Sequence, residues 1–223
     1  MGQHGGMGST TEGHGEMSGH TRPRPAQSRP TGNRYGLVVI AASLGGVEAI
    51  GDVLSALPAD FPIPIAVVLH RAASAPSLLS QVLGRRTRLV VKEAEQSEAM
   101  RPGFVYLAPT DRHLKVHDDT FTLADGRKIR HVLSSANPLF ESAAEAFGDR
   151  VIAVVLTGYG RDATDGVQAI RARGGVVLAQ DEATSAAFSM PRSAIETGCV
   201  DRVLPLEEIG HELVDLVRDD GDS

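Results

Sequence analysis

The stretch Leu37-Val38-Val39-Ile40-Ala41-Ala42-Ser43-Leu44-Gly45-Gly46-Val47-Glu48-Ala49-Ile50 constrains this chain most. A short apolar run rich in β-branched residues reads as a strand buried on both faces. It ends at a serine followed by Leu44 and two glycines. Val47, Ile50, Val53, Leu54 and Leu57 then recur at helical spacing. Ser43 therefore sits where a strand turns into a helix. Small residues on both sides let the backbone turn sharply and leave room for a substrate. The first amides of the helix have no intrahelical acceptor, and the helix dipole favours negative charge beside them. Such a place suits a nucleophile whose attack creates an oxyanion. A glycine turn that only packs, or a loose phosphate loop, would share these glycines. Neither nucleotide fingerprint, G-x-G-x-x-G or G-x-x-x-x-G-K-[ST], is present here.

A core strand of this kind needs a sizeable domain around it. The chain supplies 223 residues, 42% of them hydrophobic. The formal net charge of −6 and the absence of a basic stripe argue against a nucleic-acid partner. Cys199, the lone cysteine, excludes an internal disulfide and reads as a small packed residue. No apolar run approaches the ~18 residues of a membrane span, and no signal-peptide core is present. The expected location is cytoplasmic, without membrane insertion.

Residues 1–33 are expected to be a disordered tail and residues 34–223 the folded domain. The tail is rich in Gly, Ser, Thr, Pro and His and has little to bury. His4, His14 and His20 lie in it without the fixed spacing of a metal site. Ile65–Leu69 reads as a second buried strand ending at His70. A short helix is expected at Pro76–Leu83, and strands at Leu89–Val91 and Phe104–Leu107. Asp118-Asp119 divides Leu114–His117 from Phe121–Leu123, suggesting a hairpin appended to the main sheet. His113 and His117 would share a metal only on a helix; on a strand they stand more than about 10 Å apart. Ser134–Pro138 reads as a loop and cap before a helix that Gly148 stops. Val151–Leu156 is the clearest strand. It runs into Thr157-Gly158-Tyr159-Gly160-Arg161-Asp162-Ala163-Thr164-Asp165-Gly166 and then a helix. Val176–Gln180, a short helix at Met190–Thr197, Val200–Leu204 and a helix at Glu207–Val217 complete the chain. This alternation gives an α/β fold: a doubly wound, mostly parallel, Rossmann-like sheet with helices on both faces, plus a small β-hairpin.

In a parallel sheet, the loops carrying Ser43, His70 and Asp162 with Asp165 share the carboxyl edge, where open α/β sheets place their sites. A serine needs a base to take its proton, and neutral imidazole can take and return it near pH 7. A carboxylate fixes the imidazole tautomer and stabilises its cation. The chain order would be Ser, His, Asp, unlike the Ser, Asp, His order of α/β-hydrolases.

From about Tyr35 to Val217 the sequence resembles the catalytic domain of CheB-type protein-glutamate methylesterases. Val39-Ile40-Ala41-Ala42-Ser43-Leu44-Gly45-Gly46 stands where that family reads I-G-A-S-T-G-G, and His70 follows a strand as in its H-M-P segment. Tyr106-Leu107-Ala108-Pro109-Thr110-Asp111-Arg112-His113 is similar to Y-I-A-P-x-D-R-H. Leu156-Thr157-Gly158-Tyr159-Gly160-Arg161-Asp162 is similar to L-T-G-M-G-x-D. Ala179–Thr184 and Ser189-Met190-Pro191-Arg192 resemble A-Q-x-E-A and G-M-P-R. The resemblance implies a serine esterase acting on methylated chemoreceptor cytoplasmic helices, with deamidation of receptor glutamines as a further activity. Ser43 would be the nucleophile, His70 the base and Asp162 the orienting acid. Leu44 and Tyr159 would offer backbone amides to the oxyanion, and no cofactor or metal is implied. Asp165 reads more plainly as a charge at a helix N-terminus.

Several positions depart from the family pattern. Leu44 replaces a threonine, Arg71-Ala72 replaces Met-Pro, and Tyr159 replaces a methionine. Ala163 and Ser189 each replace a glycine. If Ala163 falls where the family uses positive φ, the loop must differ or carry strain. These changes motivate two rival readings: a non-catalytic module that binds a receptor or kinase, and an esterase for another acyl substrate. The family's usual phospho-receiver domain cannot be built from thirty-odd residues, so any control is expected to come from a separate regulatory protein or from expression.

Overall fold

The computed structural model describes residues 33–70, 78–125 and 135–218, together with Met1. The expected tail, with His4, His14 and His20, lies outside these residues, as do Arg71, Ala72 and the start of the helix expected at Pro76.

Nine strands and six α-helices are described: β1 (Leu37–Ala42), α1 (Gly46–Ser55), β2 (Ile65–Leu69), α2 (Leu79–Gly84), β3 (Val90–Glu93), β4 (Phe104–Leu107), β5 (Arg112–His117), β6 (Thr120–Asp125), α3 (Ala136–Phe147), β7 (Val151–Val155), α4 (Thr164–Ala172), β8 (Val176–Gln180), α5 (Ser189–Ile195), β9 (Arg202–Leu204) and α6 (Leu206–Arg218). Seven strands form one parallel sheet in the order β3-β4-β2-β1-β7-β8-β9. The chain builds outward from β1 through β2 to β3 and β4. It then returns by way of α3 to place β7 on the other side of β1. This reversal beside the first strand creates the switch-point crevice at the carboxyl edge.

β1, β2 and β7 are buried along their whole lengths because helices cover both faces. Period-two alternation divides their side chains between two cores. Val38, Ile40 and Ala42 pack with Ile50, Val53 and Leu54 of α1, Leu83 of α2, and Ile209 and Leu213 of α6. Leu37, Val39 and Ala41 face Leu139, Phe140 and Ala143 of α3, Val167 and Ile170 of α4, and Met190 of α5.

The expected hairpin forms, but as its own two-stranded antiparallel sheet and not as an extension of the main one. Leu114, Val116 and Phe121 close the second core. The Val116 amide donates to Ser142 Oγ of α3 at 2.9 Å, so the hairpin lies on that helix. Gly148, at φ 61°, terminates α3 as expected. Cys199 is half-buried.

The crossing of α3 and α4 depends on Gly166. A methyl there would lie 2.5 Å from Phe140 Cβ, and the Gly166 amide donates to Asn137 Oδ1 of α3 at 2.9 Å. Helix propensity alone would make Gly166→Ala stabilising by ~1 kcal/mol. Overpacking in a close-packed interior costs ~1–3 kcal/mol and should win. We expect Gly166→Ala to lower the melting temperature by about 2–8 °C in thermal unfolding, whereas a rise would show that the two helices can separate freely.

Candidate active site

Ser43 stands one residue beyond β1, where the sheet hydrogen bonding continues on both sides. The His70 amide donates to Ala42 O at 3.0 Å, and the Ser43 amide donates to Thr157 O at 2.9 Å. The registers Ala42↔Leu69 and Ala41↔Val155 therefore extend by one or two steps to set Ser43 between His70 and Thr157. Parallel strands ~4.8 Å apart make these neighbouring rungs. The chain then turns tightly. Gly46 N–H donates to Ser43 O at 2.9 Å, and Gly45 adopts φ 74°, which glycine reaches without steric cost. Gly158 lies directly against the serine, since a methyl on it would sit 2.7 Å from Ser43 Cβ.

His70 Nε2 lies 2.6 Å from Asp162 Oδ2, with both side chains about 15% exposed. Nε2 is fully buried and this carboxylate is its close contact, although the approach lies off the line of a well-aligned hydrogen bond. Two further groups hold the carboxylate. Ser135 Oγ donates to Oδ1 at 2.6 Å, and the Ala136 amide, at the first turn of α3, donates to Oδ2 at 2.7 Å. Asp162 thus caps α3 from another segment, where the dipole favours an anion. Burial opposes its charge most strongly. The His70 contact and these hydrogen bonds outweigh burial and hold the carboxyl below its usual value.

Ser43, His70 and Asp162 are brought to one edge, as the sequence suggested. Asp165 is not part of this cluster. It is an exposed charge in the first turn of α4. Leu44 and Tyr159 are both well exposed, at 51% and 65%. Thr157 N–H donates to Gln180 Oε1 at 2.8 Å, Gly158 N–H to Ala187 O at 2.8 Å, and Gly160 N–H to Ser189 Oγ at 3.0 Å. The amides of Leu44 and Tyr159 have no acceptor among the described residues.

An open cleft of about 550 Å³ lies over this edge, lined by His70, Asp162, Ser135, Pro138, Glu141, Tyr159 and Asp165 among others. Burial and the neighbouring Asp165 raise the Glu141 carboxyl above its usual value. Among the described residues, no cluster of His, Cys, Asp or Glu is arranged to hold a metal. His113 and His117 lie on β5, the first buried and the second exposed. His113 Nδ1 accepts the Ser135 amide at 3.4 Å, and burial lowers its basicity.

The sequence reading missed Ser135, His113 and Gln180 as members of the site. The signal for Gln180 was present in the sequence as a polar residue ending the apolar run Val176–Ala179; in the structure it is fully buried at the same sheet edge. Ser135 gave no such signal, because its partner Asp162 is 27 residues away.

Residues 38–213 match the family model described as CheB methylesterase. An Anaeromyxobacter dehalogenans protein named protein-glutamate methylesterase/protein-glutamine glutaminase 2 is 47% identical over 185 residues, covering 83% of this chain and 54% of the relative. The Myxococcus xanthus protein-glutamate methylesterase FrzG is 44% identical over 200 residues, covering 88% of this chain and 60% of the relative. The chain thus spans a little over half the length of these two curated relatives. The crystal structure of the Thermotoga maritima CheB methylesterase catalytic domain superposes with a TM-score of 0.78 at 39% identity, covering 82% of this chain and 99% of that one. The family-model match over most of the chain, together with these likenesses, shows that the chain belongs to the CheB methylesterase family.

Proposed function

We propose that the chain is a serine esterase that hydrolyses glutamate γ-methyl esters on the cytoplasmic helices of chemoreceptors. The observation that carries this reading is the His70–Asp162 contact, set on the rung beside Ser43. The names of the relatives supply the substrate class.

Ser43 Oγ attacks the ester carbonyl carbon while His70 takes its proton. Asp162 occupies the Nε2 side of the ring, so Nδ1 is the nitrogen left to serve Ser43. The amides of Leu44 and Tyr159 receive the oxyanion, which pre-oriented donors stabilise best. Collapse breaks the C–O bond, and the imidazolium proton leaves with methanol. Water then attacks the acyl-serine with His70 again as base, releasing the glutamate carboxylate and restoring Ser43. A glutamine side chain would follow the same path with ammonia as the leaving group. The reaction needs no redox step or electron carrier. No helix among the described residues is long and apolar enough to cross a membrane. We place the enzyme in the cytoplasm, with a separate regulatory protein as a further partner.

Methanol release from methylated receptor membranes is expected with the unaltered chain, with a loss of roughly 10⁶-fold in Ser43→Ala. Receptor binding without release by either would overturn the reading in favour of a binding module. Cleavage of small esters alone would favour another acyl substrate.

Removing the anion beside the imidazole should cost ~10⁴-fold in kcat, so Asp162→Asn tests that role by rate. It also has a signature in stability. The folded-state carboxyl titrates below the ordinary 3.8, so its contribution is present above the unfolded value and is lost as pH falls through the folded one. The excess stability of the unaltered chain over Asp162→Asn should be full above about pH 5 and shrink below about pH 4 in denaturant titrations. An excess that does not change with pH would remove the anion from the account.

Gly158→Ala would place a methyl 2.7 Å from Ser43 Cβ. A shift of ~1 Å in the nucleophile costs about 10²-fold, and that loss of kcat is expected in steady-state assays. Retained activity would mean the serine is not confined there.

A further inference from the structure

The exposed Tyr159–Gly160 tip must hold its shape if the Tyr159 amide is to receive an oxyanion. Side-chain packing gives that tip little support. Tyr159 is 65% exposed, and a methyl built on Gly160 would meet nothing within 4 Å. Gly160 also adopts φ 90°, a conformation that a flexible loop would readily leave.

Hydrogen bonds fix the tip instead. A trans peptide unit is planar, with its C=O and N–H pointing in opposite directions. The Ser43–Leu44 unit is set by Gly46 N–H, which donates to Ser43 O, so Leu44 N–H is turned away from that bond. The Gly158–Tyr159 unit is set in the same way. Gly158 O accepts Met190 N–H at 2.9 Å and Ser189 Oγ–H at 3.3 Å, so Tyr159 N–H points away from α5. The next unit is held from the same hydroxyl, because Gly160 N–H donates to Ser189 Oγ at 3.0 Å. Ser189 therefore brackets Tyr159, donating to the carbonyl before it and accepting from the amide after it. This uses one donor and one acceptor of a single hydroxyl. Ser193, one turn further along α5, is placed less directly. Its hydroxyl lies 2.9 Å from Ser189 O and 3.3 Å from Gly160 O.

We propose that Ser189 is a positioning residue that clamps the Tyr159 peptide so that its amide is ready for the oxyanion. This role rests on the esterase reading above. It gives a function to a residue that stands where the CheB-like pattern has glycine, which has no side chain to make either bond. Ser189 is exposed, and among the described residues its hydroxyl hydrogen-bonds to Gly158 O and Gly160 N–H of this loop, so replacing it leaves both cores intact.

The test compares Ser189→Ala, Ser189→Gly and Ser189→Thr with the unaltered chain, using methanol release from a methylated receptor cytoplasmic fragment. Loss of a well-placed oxyanion donor costs ~10²–10³-fold, and loosening one should cost about tenfold. Ser189→Ala and Ser189→Gly are expected to lose about tenfold in kcat, with KM held within about twofold. Ser189→Thr, which keeps the hydroxyl, should recover most of the loss. The acid limb of the pH–rate profile should not move, since the base is untouched. Affinity for a boronic acid that mimics the tetrahedral adduct should fall in step with kcat. A kcat for Ser189→Ala within about twofold of the unaltered value overturns the clamp while the esterase reading stands. So does a change confined to KM. No turnover by the unaltered chain overturns the esterase reading, and the clamp's role falls with it.

Discussion

The site depends on β1 being hydrogen-bonded on both sides beyond its last residue. The bonds His70 N–H to Ala42 O and Ser43 N–H to Thr157 O carry the sheet pattern one step past the strand. They join residues that are 28 and 114 positions apart in the chain. No side-chain recognition is needed for this juxtaposition. It follows from register, which the two buried faces of β1 fix strongly: a slip of one residue would exchange the two cores. The placement of Ser43 beside His70 thus inherits its precision from the apolar packing below it.

Register places Ser43 and His70, but Asp162 lies beyond β7 and needs a separate support. Burying a carboxylate is costly unless it is paired and hydrogen-bonded. Here the partners belong to the fold as much as to the chemistry. The Ala136 amide is one of the unpaired donors of α3, and Asp162 satisfies it. Ser135, at the N-cap position, makes no side-chain bond to its own helix and instead donates to Asp162. Asn137 does the same service for α4 through the Gly166 amide. Two helix starts are therefore capped by contacts across the crevice. The carboxylate that contacts His70 also holds the start of α3, so its ionisation is coupled to stability and, on the proposed mechanism, to rate.

Much of this was legible in the sequence because its signals are local. Val-Ile-Leu runs marked β1, β2, β7 and β8, and Gly148 marked the end of α3. Ser43 and His70 could be placed at one edge because both follow buried strands. What escaped was non-local. Nothing near Ser135 announces a partner in the Thr157–Gly166 loop, nothing near His113 announces Ser135, and a pair of antiparallel strands does not reveal whether it joins a sheet or lies on a helix. The choice of Asp162 over Asp165 rested on the resemblance. Their three-residue separation leaves both at the same strand end, and only the folded loop sets Asp162, and not Asp165, against His70.

Ala163 shows how a local rule can be broken at modest cost. It adopts φ 72° at the N-cap position of α4, where the resembling family has glycine. The left-handed conformation costs a non-glycine residue ~1–2 kcal/mol. Two effects offset it. The methyl group is fully buried in the second core, a contribution of ~0.8 kcal/mol. Alanine also loses less backbone freedom on folding than glycine, by ~0.4–1 kcal/mol. The balance is close to zero, so the loop can keep the backbone that presents Asp162 while tolerating the substitution. Val167 N–H donates to Ala163 O at 2.8 Å, the first bond of α4, which ties that conformation to the helix behind it. A strained residue beside the carboxylate is thus compatible with an intact site, and its presence is no sign of a decayed one.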